Sequence, residues 1–393
     1  MDLPGELIEQ ADELRRRLHR HPELAFQEHH TARVLEEFLA GHGVEIAGRG
    51  LAGTGLVALV RGAAAGPCVA LRADMDALPI REETGLEWAS ARDGVMHACG
   101  HDGHMALVAT TAAWLARHRG ELPGTVKFIF QPGEEKGNGA RLLVEQGVLD
   151  APPVAAIFAV HARPQLAAGQ LQLCRVPSAA TNPFTIEILG RGGHGAYPHL
   201  AVDPIAIGAQ VVVALQQVVA RQLPPGQPAV VTVGAFSAGE MGNVIPERAR
   251  LRGTIRTRHP EVRRQAGEAV RRIAAGVAAA LGGECRVEIE EGTPRVRNDD
   301  ELLDLVEAVA RPLLGDDNVL RQEAVTMGGE DFSFYLSEQG GVPGCLLWLG
   351  VETDEPIHTS RFDFGSTALA PGIRLLGELA YQALQKPPGR AEP

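Results

Sequence analysis

Apolar residues recur at spacings of three and four over residues 5–20 and again over 28–43, and this period predicts two amphipathic helices. His21-Pro22-Glu23 separates them, and Gly41 and Gly43 end the second. The period then shortens. Strands are expected at Thr54–Arg61, Cys68–Ala73, Thr125–Gln131 and Val154–Val160, with helical patterns at 103–118 and 138–147 between them. Strand, polar cluster, helix, repeated, predicts an α/β fold: a mainly parallel sheet flanked by helices. Functional groups in such folds gather at the carboxyl ends of strands. Asp74 and Asp76, Glu134 and Glu135, and His161 each follow one of the expected strands.

The texture changes at Val176-Pro177 and at Thr293-Pro294. Between them the pattern reads strand 184–189, helix 203–221, strand 229–236, strand 247–256, helix 260–281 and strand 285–290. That β-α-β-β-α-β order predicts an inserted α+β domain, a four-stranded antiparallel sheet with two helices on one face. The expected division is 1–180, 181–295 and 296–393, with the last segment completing the first domain. It contributes a helix at 300–311, a strand at Gly344–Leu349, a loop carrying His358 and a helix at 367–385. The polar tail Pro387–Pro393 is expected to fray.

Composition narrows the function. The 393 residues are 45% hydrophobic and 22% charged, as in a globular protein with sizeable cores. A net charge of −12 without a basic run argues against nucleic-acid or anionic-membrane partners. The charged N-terminal stretch has no apolar export segment, and no 18-residue apolar span is apparent, so a cytoplasmic location is expected. Five scattered cysteines (68, 99, 174, 285, 345) without a CxxC suit reduced thiols. Only Cys99 has neighbours that ligate metals.

Those neighbours form the densest chemistry in the chain. His97-Ala-Cys-Gly-His-Asp-Gly-His104 offers three imidazoles, a thiol and a carboxylate just before an expected helix. Cys99 and His101 are two apart and would share a side on an extended backbone. With Glu135, His161 and His358 they form a candidate ligand set of mixed N, O and S donors. Glu134 and Glu135 are adjacent, so one can ligate while the other faces a substrate. That division suits metal-assisted hydrolysis, in which a free carboxylate takes the proton of an activated water.

Several motifs in order give this chain a further reading. They are Leu18-His-Arg-His-Pro-Glu-Leu24, Arg72-Ala-Asp-Met-Asp-Ala-Leu-Pro79, the His97–His104 stretch, Gln131-Pro-Gly-Glu-Glu135, Gly192-Gly-His-Gly-Ala-Tyr-Pro-His199, Asn243-Val-Ile-Pro246, Gly328-Gly-Glu-Asp-Phe332 and His358-Thr359. Along nearly its whole length the chain resembles the amidohydrolase branch of the dinuclear aminoacylase/carboxypeptidase metallopeptidases. The resemblance implies two divalent metals (Mn, Zn, Ni or Co) held by Cys99, His101, Glu135, His161 and His358, with Cys99 in the bridging place. It implies Glu134 as general base and Asp76 as the aspartate that orients a neighbouring ligand. Asp74 stands where relatives have a ligating histidine and is left out of the ligand set. The insert resembles a lid and dimerisation domain, whose His194 would stabilise the oxyanion across a dimer. Asn243 and Arg256 would hold the substrate's carboxylate. His19 and His21 are read as structural, His199 as either a loop cap beside Pro198 or a contact, and Asp102 and His104 as helix start and support for the ligands. Two departures stand out: Thr359-Ser-Arg lacks a proline common after the histidine, and Lys136-Gly-Asn-Gly differs slightly from relatives.

The expected activity is metal-dependent hydrolysis of N-acyl-L-amino acids, with closure of the lid about 177–183 and 291–298. The alternatives are a dipeptidase or carboxypeptidase of the same chemistry, a non-catalytic acyl-amino-acid binder, and a structural zinc protein.

Overall fold

In the computed structural model, which describes residues 2–323 and 326–386, the chain divides into two units. The first comprises Met1–Pro177, Val296–Ala324 and Asp331–Pro393; the second comprises Ser178–Arg295 and Val325–Glu330. The first begins with α1 (Gly5–Arg20), α2 (His29–Gly41), β1 (Glu45–Leu51), β2 (Gly55–Arg61), β3 (Cys68–Asp74), α3 (His101–Arg117), β4 (Thr125–Gln131), α4 (Gly139–Glu145), β5 (Val154–Arg163) and β6 (Leu171–Leu173). The second holds β7 (Ala180–Leu189), β8 (Gly193–His194), α5 (Pro204–Gln217), β9 (Ala229–Ala238), β10 (Val244–Ile245), β11 (Arg248–Thr257), α6 (Pro260–Ala280) and β12 (Glu284–Ile289). The first then resumes with α7 (Asp300–Leu314), β13 (Val319–Arg321), β14 (Gly344–Gly350) and α8 (Leu369–Gln385).

The first unit is built on an eight-stranded sheet in the order β1-β2-β4-β3-β5-β14-β6-β13. Its centre, β4-β3-β5-β14, is parallel, and antiparallel pairs flank it. Strand side chains alternate between faces. Val69, Leu71 and Ala73 of β3 enter one core, while Cys68 and Ala70 enter the other. A sheet covered on both faces explains why these strands read as unbroken apolar runs. On one face lies α1, whose Leu7, Ala11, Leu14 and Leu18 form its buried stripe. Next to it α3 is buried from His101 to Ala116. Such a helix needs close packing, and a Cβ at Gly103 would fall 2.3 Å from the Phe364 ring.

The second unit is a four-stranded antiparallel sheet, β12-β7-β11-β9. Phe184, Ile186 and Ile188 alternate along β7 to meet Ile207, Val211 and Leu215 of α5 and Ala266, Val270 and Ala274 of α6. Asp203 caps α5 by accepting from the Ile205 amide at 2.8 Å. A π-turn, Val218–Gln222, continues the helix. Against expectation, the stretch Pro204–Gln222 is long and apolar enough, by length and composition, to cross a bilayer. Ile207, Val211, Leu215 and Val218 turn one stripe of it onto the sheet. Of the large apolar side chains exposed among the described residues, all but Leu313 belong to this unit.

Five strands escaped the sequence pattern, among them β8 and β10 with two residues each. β1 carries two glycines and an arginine, and its pairing with β2 is irregular; β6 and β13 have three residues each. Among the boundaries that move, two bear on the candidate site. β5 runs through Arg163, so His161 lies inside the strand, and α3 begins at His101 instead of 103. The expected fraying of Pro387–Pro393 concerns residues outside those described.

Candidate metal centre

The carboxyl ends of the parallel strands deliver most of the candidate chemistry. β3 ends on Asp74, and Asp76 follows it, both fully buried. β4 ends on Gln131, after which Pro132-Gly133 leads into a single 3₁₀ turn, Glu134–Lys136. β5 supplies His161. Cys99 and His101 converge differently from expectation. The backbone between them is not extended, because Gly100 takes the left-handed conformation (φ 86°) and starts α3 at His101. His358 also has positive φ (64°), and its amide donates to the Ala98 carbonyl at 2.7 Å, which ties its loop to the segment before Cys99.

The five candidate ligands come together in two overlapping groups. Donor atoms of Cys99, His101 and His161 lie within 4.8 Å of one another, as do those of Cys99, Glu135 and His358. Cys99 belongs to both, the arrangement that a bridging thiolate requires. Its Sγ is 3.5 Å from His161 Nε2 and 3.3 Å from His358 Nε2. The far nitrogens of two imidazoles are held by backbone: His101 Nδ1 donates to the Asp76 carbonyl at 2.7 Å, and His161 Nδ1 to the Ala162 carbonyl at 2.9 Å. Each Nε2 lone pair is thereby turned toward the thiol, the usual way outer partners orient a metal-binding histidine.

The donor set fits a cation. His101 Nε2 is buried without a hydrogen-bond partner, a costly state that coordination would relieve. Glu135 Oε1 lies 3.3 Å from His358 Nε2 but off the line of a hydrogen bond. Burial, reinforced by Glu135, pushes the Cys99 thiol well up, so its thiolate calls for positive charge beside it. Burial also lowers His161, with His104 adding to the effect, which favours the neutral ligand form.

Behind the ligands lies a buried polar frame. Asp76 accepts from the Glu134 and Glu135 amides, both at 3.0 Å. Asp74 accepts from His104 Nδ1 and from Arg72, each at 2.7 Å. His104 Nε2 in turn accepts from the Ala162 amide at 2.9 Å, so this histidine braces the strand end that bears His161. Burial alone would raise Asp74, but His101, Arg72 and His104 together hold it well below the usual carboxylate range. Arg72 also donates to Gln131 at 2.8 Å and to Asp331 at 3.2 Å, and Asp331 takes the Ala140 amide at 2.9 Å. Sequence reasoning assigned no role to Arg72 or Asp331. The available signal was an arginine amid the apolar strand Cys68–Asp74, which cannot be buried without acceptors. Asp102 lies in the first turn of α3, as expected, and its carboxylate takes His19 Nδ1 at 2.9 Å, while Glu82 stands 3.2 Å from His19 Nε2. Burial opposes the charge on His19, yet Asp102 and Glu82 raise it to about 10.

In the second unit, His194 of β8 pairs with Val244 of β10. Its exposed ring accepts the Ala196 amide at Nδ1 (3.0 Å), which leaves Nε2 as the protonated nitrogen. The Asn243 carbonyl accepts the Gly195 amide at 2.8 Å and fastens the same turn. Arg256, on β11, is partly buried and has a long 3.5 Å contact with the Met327 carbonyl. Among the described residues it has no carboxylate partner. His199 is exposed in a short turn.

Comparison with known proteins gives concordant matches. Residues 70–382 match the model of Peptidase family M20/M25/M40. N-acetylcysteine deacetylase of Bacillus subtilis (strain 168) is 41% identical over 95% of this chain and 96% of its own. Hippurate hydrolase of Campylobacter jejuni is 33% identical over 98% of each chain. Among solved structures, the YXEP protein of Bacillus subtilis, described as a dinuclear metal-binding peptidase of the M20 family, superposes with a TM-score of 0.85 at 36% identity, covering 97% of this chain and 99% of that one.

Proposed function

The chain belongs to peptidase family M20/M25/M40, and on that premise we propose that this metal-dependent amidohydrolase cleaves N-acyl-L-amino acids to a carboxylate and a free amino acid. The observation that carries the reading is the shared position of Cys99 between two ligand groups, with Glu134 beside one of them. Cys99, His101, Glu135, His161 and His358 would hold two divalent ions. When bound, such ions supply Lewis acidity that polarises an amide carbonyl and makes a water acidic near neutral pH.

The chain's own residues do the rest. Glu134, adjacent to Glu135 on the turn and grouped with His101 and Glu135, takes the proton of the attacking water. It then passes that proton to the nitrogen of the leaving amine. Asp76 sets both glutamates through their amides. His194 Nε2–H donates to the oxyanion of the tetrahedral intermediate, across a homodimer. Arg256, without a carboxylate partner among the described residues, and Asn243 hold the amino acid's carboxylate. The apolar side chains exposed on the second unit support dimerisation there.

The test is a panel of N-acetyl- and N-benzoyl-amino acids and dipeptides, assayed on metal-reconstituted wild type and Glu134→Gln. Hydrolysis of the acylated substrates, with turnover reduced at least ~10²-fold in the variant at unchanged metal content, is expected. A preference for dipeptides with free α-amino groups would move the substrate assignment to a dipeptidase. Near-wild-type turnover in Glu134→Gln would remove Glu134 from its role.

A further inference from the structure

We propose that Glu28 is a positioning residue for the general base, acting through the backbone of the turn that carries Glu134. This rests on the function proposed above. Three successive amides at that turn are each taken by a carboxylate. The Gly133 amide donates to Glu28 Oε1 at 3.0 Å, and those of Glu134 and Glu135 go to the two oxygens of Asp76. The turn's own backbone bond runs from the Gly137 amide to the Glu134 carbonyl at 2.6 Å. The turn is one 3₁₀ turn long, with left-handed glycines at 133 (φ 67°) and 137 (φ 70°) on either side. Without outside partners, amides at such a start stay unsatisfied.

Glu28 is itself held in place. It is fully buried, and its other oxygen accepts the Thr54 hydroxyl at 2.5 Å. A carboxylate buried this completely is costly unless its oxygens are bonded. Both of its oxygens are satisfied by groups that lock its rotamer. Two residues earlier, Phe26 has a positive φ of 64°, uncommon for a large side chain. Its ring covers Gly133 so closely that a Cβ there would fall 2.4 Å from it. The segment from Phe26 to Glu28 supplies none of the candidate ligands. Glu28 Oε1 and the Phe26 ring both meet Gly133, the residue just before the base. Displacing a catalytic group by about 1 Å can cost about 10²-fold in rate, so this grip controls turnover without touching the reacting atoms.

The test compares Glu28→Ala, Glu28→Gln and Thr54→Val in the metal-loaded protein by steady-state kinetics, metal content and hydrogen exchange at residues 133–135. Glu28→Ala is expected to lower kcat roughly 10- to 100-fold, with KM and metal content unchanged and amide protection lost. Glu28→Gln, whose amide oxygen still accepts from Gly133, is expected to restore most of both. Thr54→Val is expected to give a smaller loss of the same kind, and it carries the test if Glu28→Ala fails to fold. Wild-type kcat with unchanged exchange, or a kcat loss fully accounted for by missing metal, would overturn the proposal. If the wild type hydrolyses no acyl amino acid, the function above fails, while the exchange data still decide whether Glu28 holds the turn.

Discussion

In the first unit, His101 is buried, its Nδ1 tied to a backbone carbonyl, and it is grouped with the Cys99 thiol and with the carboxylates of Asp74, Glu134 and Glu135. In the second, His194 stands exposed on a two-residue strand, with one backbone amide to orient it. The first setting is closed: Asp74, Asp76, His104 and Arg72 bond to ligands, to the strands that carry them, or to one another before any substrate arrives. The second keeps its donors unspent. His194 Nε2 and the Arg256 guanidinium keep hydrogen-bonding capacity that their own unit does not consume. Buried ligands need a rigid frame because each unpaired polar atom is expensive there. Exposed donors avoid that cost and are kept for a partner that comes later.

The sharpest way to break this contrast is to remove the metals. Dialysis against a chelator should abolish turnover, and Mn, Zn, Co or Ni should restore it. The rate of Cys99 modification by a thiol reagent should rise in the metal-free protein, and equal rates with and without metal would exclude a coordinated Cys99. Next in size is His194→Ala, expected to lower kcat by ~10²–10³-fold with metal content unchanged, as for loss of an oxyanion donor. A co-purifying loss of metal would show that the exposed histidine belongs to the ligand frame after all. Smaller again is Arg256→Ala, expected to raise KM for acyl-amino acids about tenfold or more, the scale of one charged hydrogen bond of ~1.5–3 kcal/mol. Equal effects on substrates with an amidated carboxyl end would count against carboxylate binding.

The smallest effect concerns the frame alone. His19 is raised in the folded protein to about 10, so its stabilising pairing with Asp102 and Glu82 is fully present below its unfolded value near 6.5. It fades as pH climbs from there through 10. Thermal melts of wild type and His19→Gln should therefore differ most near pH 6 and converge toward pH 10. A gap that widens with pH would reverse the assignment.

What the sequence disclosed follows the same contrast. The parallel strands were legible because burial on both faces leaves a continuous apolar run, and residues at their ends were legible because the topology brings strand ends together. The pattern placed Cys99 and His101 near each other for the wrong local reason, since Gly100 turns the chain where an extended segment was expected. Glu28 and Asp331 escaped because their partners are backbone amides at 133 and 140, and an amide leaves no mark in the sequence. The partner of Asp102 was missed because His19 lies 83 residues away. The roles of His194, Asn243 and Arg256 came from resemblance alone: an exposed turn and a strand arginine carry no periodicity that sets them apart.

Cys99 and His358 are separated by 259 residues, and the whole second unit is threaded between His161 and His358. Closing so long a loop costs entropy that only the paired sheet can repay. Of the five candidate ligands, an unfolded or half-made chain keeps only Cys99 and His101 within two residues of each other. With the ligand set proposed above, ion capture would come only after β14 has paired with β5. Metal content would then separate finished molecules from stalled ones.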